Sequence, residues 1–241
     1  MEGGHRGSKK EGKEMTKLNK REEFLVLFGT DSLANPRIWN IHDEEGASQS
    51  LAVDFMATYP MLLEQKLKAY LDRDDVVSNV YANRGSGYGM LTVRAADFFH
   101  FYFPKGNFAD LTIFQAGISE CWLKDDGLPR VSTEIFITNI EKIIDYKKRH
   151  NPESPSIFVS IMPTTAKYQE RQPKQNEIIK EWNNIIKSHL IENCYYVDIE
   201  EFFYENEALQ ESMVHPDGHH LNIAGHEIYA NLILDVIKTI P

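Results

Sequence analysis

The chain has 241 residues, 42% hydrophobic and 11% aromatic, enough for one substantial core and more in keeping with one domain than two. A formal net charge of −10 argues against a nucleic-acid or anionic-membrane binder, since either needs a net basic face. No apolar run approaches the roughly 18 residues that span a bilayer, and the charged, Gly-rich first 23 residues contain no apolar leader segment. A cytoplasmic protein is expected, with residues 1–22 a disordered tail, Met15 an alternative start, and residues 23–241 a single domain. Cys121 and Cys194 make no disulfide framework.

The first buried strand is the unbroken apolar run Phe24 to Phe28, ended by Gly29 and followed by Thr30, Asp31 and Ser32. A polar loop over 35–49, with Trp39, leads to a helix from Tyr59 to Leu71, where Leu62, Leu63, Leu67, Tyr70 and Leu71 recur at helical spacing. Val76 to Asn83 reads as the second strand, Arg84 to Gly89 as the loop after it, and Val93 to Phe103 as a helix stopped by Pro104. A third strand, Leu111 to Gln115, precedes a helix from Val131 to His150 with basic residues in its last turn. Ser156 to Met162 is the fourth strand, Pro173 to Leu190 a helix, and Tyr195 to Ile199 the fifth strand. Residues 200–220 read mostly as loop, and Asn222 to Ile240 as a closing helix. Alternating strands and helices imply an α/β three-layer sandwich with a five-stranded parallel sheet, for which the flavodoxin-like order 2-1-3-4-5 is the simplest topology. Ser32, the glycines at 85–89, the segment 117–120 and the 200–220 loop then share one edge of the sheet. Cys121 and Cys194 fall at opposite edges, too far apart to bridge.

Chemistry concentrates at that edge. Asp217 precedes His220 by three residues, a spacing at which a carboxylate reaches the imidazole Nδ1–H and leaves Nε2 free as a base. An Nε2 facing Ser32 would supply the activation that a serine nucleophile needs. The competing reading of Asp31 and Ser32 is a capped polar turn, and of Asp217 a turn residue before Gly218. A metal site on His215, His219, His220 and His226 ranks below catalysis. Pro216 interrupts the one pair spaced by four, and no Cys or second acidic cluster joins them.

These residues resemble the SGNH/GDSL hydrolase family. Gly29-Thr-Asp-Ser32-Leu is similar to its first block with Thr30 inserted, and Asp217-Gly-His-His220-Leu-Asn to its terminal Asp-x-x-His. Asn83-Arg-Gly-Ser-Gly87 resembles the second block, whose glycine N–H joins the oxyanion hole; Gly87 is the first choice and Gly85 the reserve. Gly117-Ile-Ser119-Glu120 stands where the family reads Gly-x-Asn-Asp. The resemblance implies the SGNH fold and a serine esterase in which Ser32 attacks, His220 is the base, and Asp217 orients it. The N–H groups of Ser32 and Gly87, with Ser119 Oγ, would hold the oxyanion. It implies no cofactor and no metal, and a small-molecule or saccharide ester as partner, often carrying an acetyl group. Ser119 is shorter than Asn and its proton can rotate elsewhere, so a weakened oxyanion hole is expected.

Three alternatives stay open. Acyl transfer to an acceptor hydroxyl uses the same acyl-enzyme, and a catalytically weakened ligand-binding member would use the same pocket. Gly117-Ile-Ser119-Glu-Cys121 also nearly spells a Gly-x-Ser-x-Gly nucleophile elbow, with Cys121 failing its last glycine, which makes Ser119 the rival nucleophile. Arg37, Arg84 and Arg130 could meet an anionic group, and Tyr88 and Trp122 could stack on a sugar.

Overall fold

Five parallel strands form the sheet: β1 (Phe24–Thr30), β2 (Val76–Ala82), β3 (Leu111–Gln115), β4 (Ser156–Val159) and β5 (Cys194–Val197). Their order is β2-β1-β3-β4-β5, the order expected from the sequence. The computed structural model describes residues 22–37, 52–96 and 109–241. The amino-terminal tail, Trp39 with most of its loop, and Pro104 with the end of the helix expected over 93–103 lie outside the described residues.

Side chains alternate across the strands and so build two cores. On one face Val26, Phe28, Ile113, Ile157 and Val159 meet Leu63 and Leu67 of α1 (Tyr59–Leu71) and Tyr229 and Ile233 of α8 (Ile223–Ile237). On the other face Phe114 and Phe158 meet Tyr88 and Leu91 of α2 (Tyr88–Ala96), Phe136 and Ile140 of α3 (Thr133–His150), and Trp182 and Ile186 of α5 (Gln175–His189). Two helical layers therefore sandwich a sheet whose central strands are buried on both faces, as their unbroken apolar runs require.

Several boundaries differ from the sequence reading, each for a visible reason. Helix α2 begins at Tyr88 rather than Val93, because a distant carboxylate, that of Glu120, accepts its first two N–H groups. Strand β4 stops at Val159, and β5 begins and ends earlier than expected. The segment expected as loop contains α6 (Ile199–Glu205) and α7 (Glu207–Met213). Asp198 caps α6 by accepting the Glu201 N–H at 2.9 Å, and Ile199 and Phe203, one turn apart, are buried. Lys174 takes a left-handed conformation (φ 70°), so Pro173 lies outside α5 rather than in its first turn; a short helix, α4 (Ala166–Gln169), precedes it. Both cysteines are free, Cys121 buried after β3 and Cys194 half-buried at the start of β5. Among the described residues no helix is long and apolar enough to cross a membrane.

The second core rests on Trp182, fully buried with its ring stacked 4.0 Å from that of Phe136 and its Nε1–H donated to Thr133 Oγ1 at 3.3 Å. Trp182→Ala should cost about 3–5 kcal/mol in urea denaturation. A loss below 1 kcal/mol would mean that α5 does not hold α3 to the sheet.

Candidate active site

Strand β1 carries the candidate nucleophile, Ser32, just past its end. Its ladder continues one residue further, where the Asp31 N–H donates to the Gln115 carbonyl at 3.1 Å, and the chain then turns into a single 3-10 turn, Ser32–Ala34. Asp31 caps this turn by accepting the Leu33 N–H at 2.9 Å. The capping role read from sequence is therefore real, and it coexists with chemistry. Capping aims the Ser32 side chain off the sheet edge, where Oγ lies 3.0 Å from His220 Nε2.

The loop between α7 and α8 carries the candidate base, His220. The His215 N–H donates to the His220 carbonyl at 2.7 Å, closing a tight turn across 215–220. Gly218 sits at the bend with φ +84°, and a Cβ there would fall 2.7 Å from Tyr168 Cβ, so both conformation and space call for glycine. Inside the turn Asp217 Oδ2 lies 2.6 Å from His220 Nδ1, while Oδ1 accepts the backbone N–H of His220 at 3.0 Å and of His219 at 3.2 Å. Arg37, resting 3.5 Å from Asp217 Oδ2, braces the same oxygen. A carboxylate bound to Nδ1 keeps the proton there and presents Nε2 to Ser32 as an acceptor.

Electrostatics agree with that assignment. Burial alone would push the Asp217 carboxyl up, but hydrogen bonds from His215 and His220 and the neighbouring imidazoles outweigh it and hold it well below the usual range. Burial lowers His220 to about 4, despite the opposing pull of Asp217, so the imidazole is neutral at pH 7 and free to accept a proton. Asp31, fully enclosed behind the nucleophile, is pushed up to about 7 by burial, opposed in part by the Leu33 N–H and the Gln115 amide.

The loops after β2 and β3 meet beside Ser32. Gly87 packs so closely on Glu120 that a Cβ would lie 1.9 Å from the Glu120 Cδ, whereas a Cβ on Gly85 would meet nothing within 4 Å. Gly85 is instead needed for its φ of +69°. Among the described residues the N–H groups of Ser32 and Gly87 have no hydrogen-bond partner. Ser119 Oγ lies 3.2 Å from the Gly85 carbonyl and 3.1 Å from that of Ser86, so its single proton rests on one of these backbone oxygens.

Other sequence candidates separate by position. Ser119 faces carbonyls, and it is Ser32 that meets His220. The four histidines do not converge on one point. His226 Nδ1 accepts the Tyr59 N–H at 3.0 Å and caps α1. The one metal-compatible group among the described residues is Asp217, His219 and His220, two of which are the pair that faces Ser32. Tyr88 is fully buried against Phe136, out of reach of a sugar. Trp122 sits edge-on to His219 at 5.7 Å, beneath the Arg130 guanidinium at 4.5 Å. Sequence reasoning missed the brace from Arg37 and the attachment of Glu120 to α2; no local pattern marks either, because both are long-range contacts.

This assembly is that of an acylhydrolase on a flavodoxin-like sheet, and the sequence itself bears that out. Residues 44–228 match the GDSL-like lipase/acylhydrolase family, and the chain belongs to it. It is a carboxylic ester hydrolase of that family. The matched span holds the 83–87, 117–120 and 217–220 segments and begins after Ser32. No curated protein matches the sequence. Solved structures similar in fold include an acetyl xylan esterase from Geobacillus stearothermophilus (18% identity, TM-score 0.67, covering 90% of this chain and 95% of that one). A lipase/acylhydrolase from Enterococcus faecalis is similar at 16% identity and TM-score 0.61, over 89% of this chain and 95% of its own. A psychrotrophic esterase from Pseudoalteromonas sp., solved inhibited by monoethylphosphonate, is similar at 16% identity and TM-score 0.58, over 90% and 97%.

With His220 as the candidate base, active only when neutral, kcat/KM should be level near neutrality and fall as pH drops through about 4. A pH–rate profile on a soluble acetate ester checks this. A midpoint near 6.5 would show an imidazole that burial does not depress.

Proposed function

We propose that this chain is a serine esterase that hydrolyses short-chain acyl esters, acetyl above all, of a small molecule or saccharide through an acyl-serine intermediate. The observation that carries the reading is the line Ser32 Oγ, His220 Nε2, His220 Nδ1 and Asp217 Oδ2, with its contacts of 3.0 and 2.6 Å. Ser32 Oγ bonds to the ester carbonyl carbon while its proton passes to His220 Nε2, and Asp217 stabilises the imidazolium so formed. The tetrahedral intermediate collapses by breaking the carbon–oxygen bond to the alcohol, which leaves with the proton from His220. Water, deprotonated by the same nitrogen, then attacks the acyl-serine and releases the acid.

The N–H groups of Ser32 and Gly87 hold the oxyanion, and both are fixed backbone donors. Ser119 Oγ is the third donor and works at a disadvantage, since it must give up a carbonyl to reach the oxyanion. Support for an acetylated saccharide comes from the acetyl xylan esterase among the similar folds, and from the partly exposed Trp122 beside His219. No cofactor enters any step.

The direct test is labelling with a fluorophosphonate, which traps an activated serine. Wild-type protein should be labelled at Ser32, and Ser32→Ala should lose both labelling and hydrolysis of p-nitrophenyl acetate. An active Ser32→Ala, or label on Ser119, would overturn the assignment of the nucleophile.

Ser119→Asn offers two amide hydrogens in place of one hydroxyl proton, one for the Ser86 carbonyl and one for the oxyanion. It should raise kcat by up to about 10-fold with little change in KM, less than the 10²–10³ of a whole lost donor. A fall in kcat in a folded protein would show that the pocket is shaped around serine.

A further inference from the structure

We infer that Glu120 is a positioning residue that aims the oxyanion-binding N–H of Gly87, acting through the backbone without touching substrate; this rests on the esterase reading above. Glu120 is 8% exposed, and its carboxylate is spent entirely on the neighbouring loop. Oε2 accepts the Tyr88 N–H at 2.8 Å and Oε1 accepts the Gly89 N–H at 3.1 Å. These are the first two residues of α2, whose N–H groups have no partner within their own helix. A carboxylate placed there also meets the positive end of the helix.

The grip falls on both sides of Gly87. The peptide that follows Gly87 is held by its N–H, that of Tyr88, on Glu120. The peptide that precedes it is held by its carbonyl, that of Ser86, on Ser119 Oγ at 3.1 Å. A trans peptide directs its N–H and C=O in opposite senses. Anchoring the Ser86 carbonyl therefore also fixes the direction of the Gly87 N–H, which belongs to the same peptide. The Glu120 carboxylate occupies the space where a side chain on residue 87 would stand, which lets it come this close. When Ser119 turns toward the oxyanion during catalysis, Glu120 is the tether that remains.

The chemical requirement is specific. A carboxylate offers two acceptor oxygens to two N–H donors. A glutamine offers one, and its NH2 group must face the second N–H donor to donor. Burial raises the Glu120 carboxyl, and the Gly89 and Tyr88 N–H groups oppose that rise by stabilising the charged form.

The test compares wild type, Glu120→Gln and Glu120→Asp for kcat and KM on p-nitrophenyl acetate, for fluorophosphonate labelling rate, and for Tm. Glu120→Gln should lose about 10- to 100-fold in kcat with KM within about threefold, and labelling should slow in parallel, because both reactions build charge on the same oxygen. Glu120→Asp, which keeps two acceptors on a shorter arm, should fall between, and it decides the matter if the glutamine variant does not fold. A second comparison separates aiming from filling space. Gly87→Ala should be unstable, and adding Glu120→Ala should restore its Tm but not its kcat. Wild-type kcat in Glu120→Gln or Glu120→Asp, or recovery of both Tm and kcat in the double variant, would overturn the inference while leaving the esterase reading intact. A wild-type protein that takes no phosphonate would overturn the esterase reading, and this inference with it.

Discussion

Strand β1 is hydrogen-bonded on both edges, and the common position of Ser32 and the loops after β2 and β3 follows from that. Thr30 lies opposite Ala82 of β2 and opposite Gln115 of β3 in the same rung of the sheet. All three strands run the same way, so the residues just past that rung emerge together: Ser32, the 83–87 loop and the 117–120 turn. Further bonds tie the loops to the rung, among them the Ser86 hydroxyl, which lies 3.2 Å from the Thr30 carbonyl. A register slip of one residue would move Ser32 away from Gly87 and Ser119 and would turn the apolar side chains of β1 to the wrong face. The packing of the core and the geometry of the site are thus one constraint.

Three carboxylates crowd this edge, and each is stabilised in a different way. Asp217 is ionised because imidazoles and Arg37 surround it. Glu120 has no cation among its hydrogen-bond partners and instead holds two backbone N–H groups. Asp31 receives the least compensation, and burial lifts it to about 7. Isolated charge this deep would be costly, and all three carboxylates hold backbone N–H groups, while only Asp217 also meets an imidazole. The neutral His220 follows from the same burial, since a dry pocket that lowers an imidazole also strengthens the hydrogen bond that orients it.

Much of this was readable in the sequence because the informative signals are local. Apolar runs marked β1 and β3 nearly to the residue, alternation of elements led to the strand order, and Asp217-x-x-His220 lies within one turn of chain. What escaped was long-range or context-dependent. Helix α2 carries Gly89 in its first turn, a weak helix former, and starts at Tyr88 because a residue 32 positions away accepts its N–H. The acidic, aromatic stretch after β5 folds as α6 because Asp198 caps it and Ile199 and Phe203 find a core; its charge pattern resembles loop until that core is present. Arg37 could be noticed as a cation near the site, yet only the fold shows that it is turned to Asp217 rather than to a substrate.

The departure of Ser119 from asparagine acquires a physical meaning in this setting. Transition-state stabilisation depends on donors that need no reorganisation when charge appears. The N–H groups of Ser32 and Gly87, the backbone donors proposed here, meet that condition because their orientation is set by the peptide plane and by the contacts around it. A serine hydroxyl does not, since it turns about one bond and already serves the Gly85 and Ser86 carbonyls. Yet by holding those carbonyls it helps to set the direction of the Gly87 N–H. In the proposed mechanism the side chain that is the weaker direct donor thus supports the fixed one, and catalysis leans on backbone geometry more than on the residue at position 119.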